Sequence, residues 1–177
     1  TLQRPSPPRW TAVVSVDSAR KAARRGLKIS TGFNSVATVK AIFDAYRDEA
    51  KAAGQPAGPD CLALRRRVAV GSTPDEARTY ASAITERLKA YVAQDSRVTQ
   101  HVPDSPARSG GGFTVSDDEF ITGTPKQAAA QIIEQCRAIG AGHFLAMLNW
   151  GAPVDEVEQA HEAFGREAIP LLRAASV

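Results

Sequence analysis

The chain alternates short apolar runs with amphipathic helical patterns along almost its whole length. This alternation constrains the fold most strongly, because a strand–helix–strand order lays each helix across the face of a parallel sheet. We count four such units, with strands predicted at residues 10–14, 27–31, 66–70 and 143–148. The pattern therefore predicts an α/β fold with a parallel sheet.

Local signals mark where the intervening helices begin and end. Helices are predicted over residues 17–25 and 35–53, each closed by a glycine, Gly26 and Gly54. Two later helices begin with capping boxes, TPDE at residues 73–76 and TPKQ at residues 124–127. A last helix is predicted from about Val154.

Four βα units are half of a (β/α)8 barrel, in which eight strands must close. We therefore expect residues 1–177 to form half of a single barrel domain. Periodicity is lost between Gln94 and Asp118, and the stretch PDSPARSGGGF predicts a mobile excursion before the last strand. Such an excursion serves either as a lid or as a plain surface insertion, and both interpretations stay open.

Composition excludes several functional classes. The 177 residues are 43% hydrophobic and 23% charged, the balance of a globular domain. No apolar run approaches the roughly 18 residues of a membrane span, and the start of the chain lacks the layout of a secretory signal. We therefore expect a cytoplasmic protein without a membrane partner.

The charged and metal-ligating residues point to neither nucleic acid nor metal. The net charge is +3, and the one dense basic cluster, residues 20–25, has no interleaved aromatic residues. Cys61 and Cys136 show no CxxC spacing, and the three histidines are scattered. These features predict a solvated basic face, buried free thiols and no metal site.

The first strand runs directly into a helix at Ser15. Such a junction aims unpaired backbone N–H groups and the positive end of the helix dipole at the space above the strand. Ser15 and Ser18 add hydroxyl groups there, so the junction is a candidate phosphate site. A serine before a helix also serves as an ordinary cap, and this alternative stays open.

A series of motifs, in order, resembles the C-terminal half of the bacterial luciferase-like flavin-dependent monooxygenases, a family of TIM barrels. The motifs are Pro7-Pro8-x-Trp10, Ser15-x-x-Ser18, Ala22-Ala23-x-x-Gly26-Leu27, Arg67-Val68-x-Val70, Thr73-x-x-Glu76-Ala77, Gly123-Thr124-Pro125, Gly140-Ala141-Gly142-His143-Phe144, and Phe164 with Glu167-x-x-Pro170. The resemblance covers nearly the whole chain.

The resemblance implies a flavin-dependent oxidoreductase, most directly a monooxygenase that uses reduced flavin mononucleotide (FMN) and dioxygen on a small organic substrate. It implies that Ser15 and Ser18 bind the FMN phosphate, and that a separate flavin reductase supplies the reduced cofactor. Two alternatives are hydride transfer with a deazaflavin coenzyme and a flavin-binding protein without catalysis. No catalytic residue is identified, because the family's polar groups lie largely in the N-terminal half of the barrel, which would precede Thr1.

Active sites of such barrels lie at the carboxyl ends of the strands. This rule makes Thr31, Ser72, Asn149 and Trp150 candidates for the substrate pocket, with Trp150 as either a pocket wall or a plug. The run of arginines at residues 65–67 begins its predicted strand, which would place it at the opposite end. A half-barrel exposes two sheet edges, so we also expect an N-terminal half-barrel or a second copy of the chain as partner.

Overall fold

The computed structural model describes residues 4, 7–32, 34–94, 117–148 and 153–175. Strands in these residues form one sheet in which every pairing is parallel. They are β1 (Trp10–Ala12), β2 (Lys28–Gly32), β3 (Leu62–Val70), β4 (Phe120–Gly123) and β5 (His143–Met147). The predicted α/β class with a parallel sheet is confirmed.

Helices follow the strands in the predicted order. Within the described ranges they are α1 (Val16–Arg24), α2 (Val36–Ala52), α3 (Pro74–Gln94), α4 (Pro125–Ile139), α5 (Val154–Ala163) and α6 (Ile169–Ala174). A π-helical segment, Phe164–Ala168, joins α5 to α6, and 3-10 turns at Pro59–Cys61 and Asp117–Glu119 precede β3 and β4.

The helix boundaries obey the local signals in the sequence. Gly26, Gly54 and Gly140 follow α1, α2 and α4 with φ values of 62°, 65° and 66°, the left-handed conformation that closes a helix at low cost only for glycine. Thr124 caps α4 in a complete capping box with Gln127. These ends are decided by local chemistry and need no tertiary contact.

The sheet differs from the prediction in its strand count. β1, β2, β3 and β5 are the four predicted strands, and β4 is a fifth that the sequence analysis missed. β2 pairs with β3 over Leu62–Arg65, whereas β4 pairs with the later segment Arg67–Val70. β5 pairs with Ala63–Arg67. β4 thus pairs with the backbone N–H and C=O groups of β3 that lie beyond the last residue paired with β2.

The long central strand also corrects the predicted position of the arginines. β3 begins at Leu62, four residues before the predicted start, so Arg65, Arg66 and Arg67 lie in its middle. Arg66 is 0% and Arg67 4% exposed. The expectation that these arginines lie at the amino end of the strand is wrong.

The two faces of the sheet have different characters. Ile29, Leu64, Val68 and Ile121 belong to the apolar core that the helices cover. Side chains alternate between faces along a strand, so the register assigns the intervening positions to the other face. We call this the concave face; it carries Trp10, Lys28, Ser30, Gly32, Ala63, Arg65, Arg67, Ala69, Phe120, Thr122, His143, Leu145 and Met147.

Contacts at the amino end of the sheet show that it is strongly curved. Trp10 on β1 and His143 on β5 are separated by β2 and β3, which would place their rings ~14 Å apart on a flat sheet. Their ring centroids are instead 5.1 Å apart, edge to face. Lys28 lies between them, 5.6 Å from the Trp10 ring and bonded to the Asp60 carboxylate at 2.9 Å. These side chains thus meet at the amino end of the concave face.

Most of the predicted excursion, residues 95–116, lies outside the described residues, where the predicted mobile segment stays a prediction. The chain is described again from Asp117, which begins the turn before β4. Among the described helices, none combines the length and the apolar character that crossing a membrane requires.

Candidate functional site

All strands run in the same direction, so their carboxyl ends lie along one edge of the sheet. Four strand-to-helix junctions have their helix start in the described residues there: β1 to α1 at Ser15, β2 to α2 at Ser35, β3 to α3 at Ser72, and β4 to α4 at Thr124. In parallel α/β folds, ligands bind at this edge, because the helix N-termini and connecting loops converge there.

The junction after β1 is a compact hydroxyl and amide cluster. Ser15 is the N-cap of α1 in an extended conformation, and its Oγ accepts from the Ser18 N–H at 3.2 Å. In return, the Ser18 Oγ accepts from the Ser15 N–H at 3.1 Å, and it donates to the Ser15 carbonyl at 2.8 Å. The two hydroxyl oxygens are themselves 3.1 Å apart. The two serines predicted to act together are therefore in direct contact.

The first turn of α1 also carries an acidic side chain. Asp17 lies at the second helical position, and its carboxylate pairs with Lys21 at 2.6 Å on the solvent side. The hydrogen bond and charge of Lys21 lower the pKa of Asp17. Helical geometry leaves the N–H groups of Val16 and Asp17 without an acceptor inside the helix.

The junction after β3 holds Ser72 in place through Glu76. The Glu76 carboxylate accepts from the Ser72 backbone N–H at 2.9 Å and also from its hydroxyl, while Thr73 Oγ1 accepts from the Glu76 N–H at 3.2 Å. These hydrogen bonds lower the pKa of Glu76. Ser72 lines a cleft of about 940 Å³ between α3, α4 and α5, together with Tyr80 and Glu167.

The remaining predicted pocket residues are Thr31, Asn149 and Trp150. Thr31 pairs in register with Leu64, a core residue, so its side chain lies on the helix-facing side of β2. It is 2% exposed, and its Oγ1 has no hydrogen-bond partner within the described part of the chain. Asn149 and Trp150 lie outside the described residues.

The structure adds a charged pair that the sequence analysis did not include in the site. Arg67 on the concave face of β3 forms an ion pair with Glu119, and both side chains are nearly fully buried, at 5% and 4% exposure. The Arg67 guanidinium also lies 5.9 Å from the ring of Phe120, its register partner on β4. The sequence does contain a signal that Arg67 lies inside the strand. Leu62 and Leu64 are two residues apart, and they extend the apolar alternation of β3 to residues before the arginines.

A second polar network fastens the start of β4 to the body of the fold. The Arg66 Nε donates to Gln135 Oε1, and Gln135 Nε2 donates to the Asp118 carbonyl, both at 2.9 Å. The Asp118 carboxylate accepts from the Val36 N–H at 2.6 Å, at the first residue of α2. Burial lowers the pKa of Arg66 to about 10, which keeps this guanidinium charged at neutral pH.

Comparison with solved structures places this arrangement in a known fold. A monooxygenase from Streptomyces bottropensis, RslO1, superposes with a TM-score of 0.75 at 22% identity, over 99% of this chain and 50% of that one. The oxygenating constituent of 3,6-diketocamphane monooxygenase from Pseudomonas putida, solved with FMN, has a TM-score of 0.66 at 20% identity, over 94% of this chain and 49% of that one.

A third similar structure is a coenzyme F420-dependent tetrahydromethanopterin reductase from Methanopyrus kandleri. Its TM-score is 0.58 at 16% identity, over 92% of this chain and 50% of that one. The chain thus spans about half the length of the structures it matches, and its curved sheet is part of a TIM barrel. No curated protein matches the chain in sequence.

The family comparison is specific. The model of the luciferase-like monooxygenases matches residues 1–143, which include the strand-to-helix junctions at Ser15, Ser72 and Thr124. The match confirms the resemblance found in the sequence motifs. The chain belongs to the luciferase-like monooxygenase family.

Proposed function

We propose that the complete protein is a flavin-dependent oxidoreductase and that the junction at Ser15 binds the phosphate of FMN. The observation that carries this proposal is the hydroxyl and amide cluster at the start of α1. The cluster lies at the carboxyl edge of the parallel sheet, in a chain of the luciferase-like monooxygenase family. Helix N-termini attract anions through their unpaired N–H groups and their dipole.

The donors at this junction fit a phosphate group. The N–H groups of Val16 and Asp17 are available by helix geometry, and the Ser15 hydroxyl can turn from Ser18 toward an anion above the helix. The acidic residue in the first turn of α1 is Asp17, and Lys21 holds its carboxylate on the side of the helix. The bound flavin would supply the redox chemistry, and this chain's residues would bind and orient it.

We propose monooxygenation of a small organic substrate, with reduced FMN and dioxygen, as the activity. The names of two similar structures, a monooxygenase and an FMN-bound oxygenating constituent, support this activity and cofactor. A separate flavin reductase would then supply reduced FMN. The second candidate is hydride transfer with a deazaflavin coenzyme, which the F420-dependent reductase supports.

A complete barrel requires strands that pair with the outer edges of β1 and β5. In the described residues, β1 pairs with β2 alone and β5 with β3 alone. Because the matched structures are twice as long as this chain, we propose that an N-terminal half-barrel or a second copy completes the fold. Thr31, Ser72, Asn149 and Trp150 stay proposed pocket residues, and no catalytic residue is assigned.

The test is a flavin titration of the complete protein, with FMN, riboflavin and the deazaflavin coenzyme compared side by side. FMN should bind more tightly than riboflavin, and Ser15→Ala should remove most of that difference, since the phosphate loses a hydroxyl donor and an ordered helix start. Ser35→Ala is the matched control, because Ser35 caps α2 in the same way, accepting from the Thr38 N–H at 3.2 Å.

The outcomes separate the alternatives. Equal binding of FMN and riboflavin, or equal effects of Ser15→Ala and Ser35→Ala, would reject the phosphate site. Preference for the deazaflavin coenzyme over FMN would favour the hydride-transfer candidate. Flavin binding without consumption of oxygen or of a reduced nicotinamide would favour a protein that binds flavin without catalysis.

A further inference from the structure

The cleft between α3, α4 and α5 is a cavity of ligand size on the helix side of the sheet. Its volume is about 940 Å³. Small-molecule sites have volumes of roughly 300–1,000 Å³. The lining includes Val70, the last residue of β3, and Ala160 of α5, and both belong to the helix-covered core. The cleft therefore lies behind the concave face, near the carboxyl end of the central strand.

One wall of this cleft is apolar and fixed in position. The Tyr80 hydroxyl donates to the Leu148 carbonyl at 3.2 Å, so the side chain is held at its far end. Ala160 and Ala163 line the cleft from α5, and their small side chains leave space beside Tyr80. An aromatic or branched apolar group would gain from burial against this wall.

Side chains of opposite charge line the same cleft. Lys126 lies in the first turn of α4, and Glu167 lies in the π-helical segment. Within the described residues, neither side chain has an ion pair or a hydrogen bond, with the other or with a third residue. The cleft thus presents a positive and a negative charge that do not neutralise each other.

The other lining carboxylate, Glu76, is already engaged. It accepts from the Ser72 backbone N–H at 2.9 Å and also from the Ser72 hydroxyl. A cationic ligand group would have to compete with these hydrogen bonds at Glu76, whereas Glu167 offers its carboxylate without such competition. Glu167 is therefore the anionic partner that the cleft supplies.

The backbone around Glu167 is itself unusual. The Ile169 N–H bonds to the Phe164 carbonyl, five residues back, instead of to a carbonyl four residues back as in an α-helix. Pro170 follows and has no N–H with which to continue the α-helical pattern. Such π-helical turns occur frequently at functional sites, and this one carries the free carboxylate of the cleft.

A zwitterion with an apolar body complements this lining. Its ammonium group would form a charge-assisted hydrogen bond with Glu167, and its carboxylate would form one with Lys126. Its apolar group would pack beside Tyr80. A ligand with one charge alone would make only one of the two charged contacts.

We propose that this cleft is a second binding site, for a zwitterionic amino acid with an apolar side chain. The site is separate from the phosphate junction at Ser15, because its charged residues come from α4 and from the segment after α5. It goes beyond the proposed flavin chemistry and does not depend on it.

The test measures binding of three probes to the complete protein by isothermal calorimetry. L-phenylalanine carries both charges, 2-phenylethylamine lacks the carboxylate, and 3-phenylpropionate lacks the ammonium group. We expect L-phenylalanine to bind at least about tenfold more tightly than either of the other two, since each charged contact adds to the affinity.

Two variants assign the two charges. Glu167→Gln should weaken L-phenylalanine and 2-phenylethylamine by about five- to tenfold and leave 3-phenylpropionate unchanged. Lys126→Gln should weaken L-phenylalanine and 3-phenylpropionate to a similar extent and leave 2-phenylethylamine unchanged. This crossed pattern cannot arise from a general loss of structure, which would weaken all three probes.

Matched controls remove the same charges elsewhere on the surface. Glu158→Gln on α5 and Lys51→Gln on α2 replace exposed residues that do not line the cleft. Both should leave the binding of all three probes unchanged. Thermal unfolding of every variant checks that the fold is intact.

Several results would overturn the proposal. They are equal binding of the three probes, no binding of any of them, and an equal effect of Glu167→Gln on all three. Displacement of L-phenylalanine by FMN would also overturn it, because the cleft would then belong to the flavin site. If FMN does not bind while the crossed pattern persists, the amino acid site stands and the flavin proposal fails.

Discussion

Replacement of Glu119 by glutamine tests the buried ion pair on which the concave face depends. Glu119 and Arg67 are 4% and 5% exposed at the side chain, so water screens the attraction between them only weakly. Removing one partner of a buried pair costs about 3–5 kcal/mol. The glutamine amide oxygen can still accept one hydrogen bond from Arg67, so we expect a loss near 3 kcal/mol.

The assay is urea unfolding of the complete protein. With a slope of about 2–3 kcal/mol per molar urea, a loss of 3 kcal/mol lowers the unfolding midpoint by about 1–1.5 M. Glu86→Gln is the control, because Glu86 pairs with Lys89 at 2.8 Å on the surface, with 71% and 49% of the two side chains exposed. That exposed pair contributes at most about 1 kcal/mol.

A double variant separates the charge from the contact. Replacing Arg67 and Glu119 together by methionine and leucine removes both charges at similar volume, and we expect a stability within about 1 kcal/mol of the original. A Glu119→Gln midpoint that matches that of Glu86→Gln would refute the reasoning. A double variant less stable than Glu119→Gln would do so as well, since the cost would then lie in the lost contact.

Two further predictions concern the framework of the sheet. Gly140→Ala should destabilise more than Gly54→Ala, although both glycines have φ near +65°. A Cβ on Gly140 would displace the Arg47 Nη2, which donates to the Ile139 and Gly140 carbonyls, whereas nothing lies within 4 Å at Gly54; equal losses in thermal unfolding would contradict this. Tyr46, whose hydroxyl donates to the Leu27 carbonyl at 3.0 Å, has its pKa raised by burial to about 12. The stabilisation that the protonated Tyr46 provides is therefore complete below pH ~10 and is lost as the pH rises through 12. Tyr46→Phe should flatten the alkaline fall in unfolding free energy, and an unchanged slope would argue against this prediction.

Local patterns predicted the elements whose ends depend on near neighbours. Gly26, Gly54 and Gly140 close their helices because the left-handed conformation favours glycine wherever the helix packs. Thr124 and Gln127 satisfy each other's backbone groups within four residues. Ser15 and Ser18 form their cluster for the same reason, since both partners lie in one turn.

β4 could not be predicted in this way. Its four residues, Phe120–Gly123, are too few to show a period, and they become a strand by pairing with Arg67–Val70 about fifty residues earlier in the chain. The predicted start of β3 failed for a related reason. Three consecutive arginines indicate the end of a strand, because a buried arginine needs partners that the sequence does not reveal. In the structure Arg66 bonds to Gln135 and Arg67 pairs with Glu119, and these partners lower the cost of burial.

The sequence by itself determined the alternation of strands and helices, the caps and the family, because these depend on the order and local spacing of residues. Only the tertiary structure decided which side chains share the concave face. Arg65, Arg67, Phe120 and Leu145 come from three separate strands. Their meeting depends on register and curvature, and both arise from packing the whole sheet against its helices.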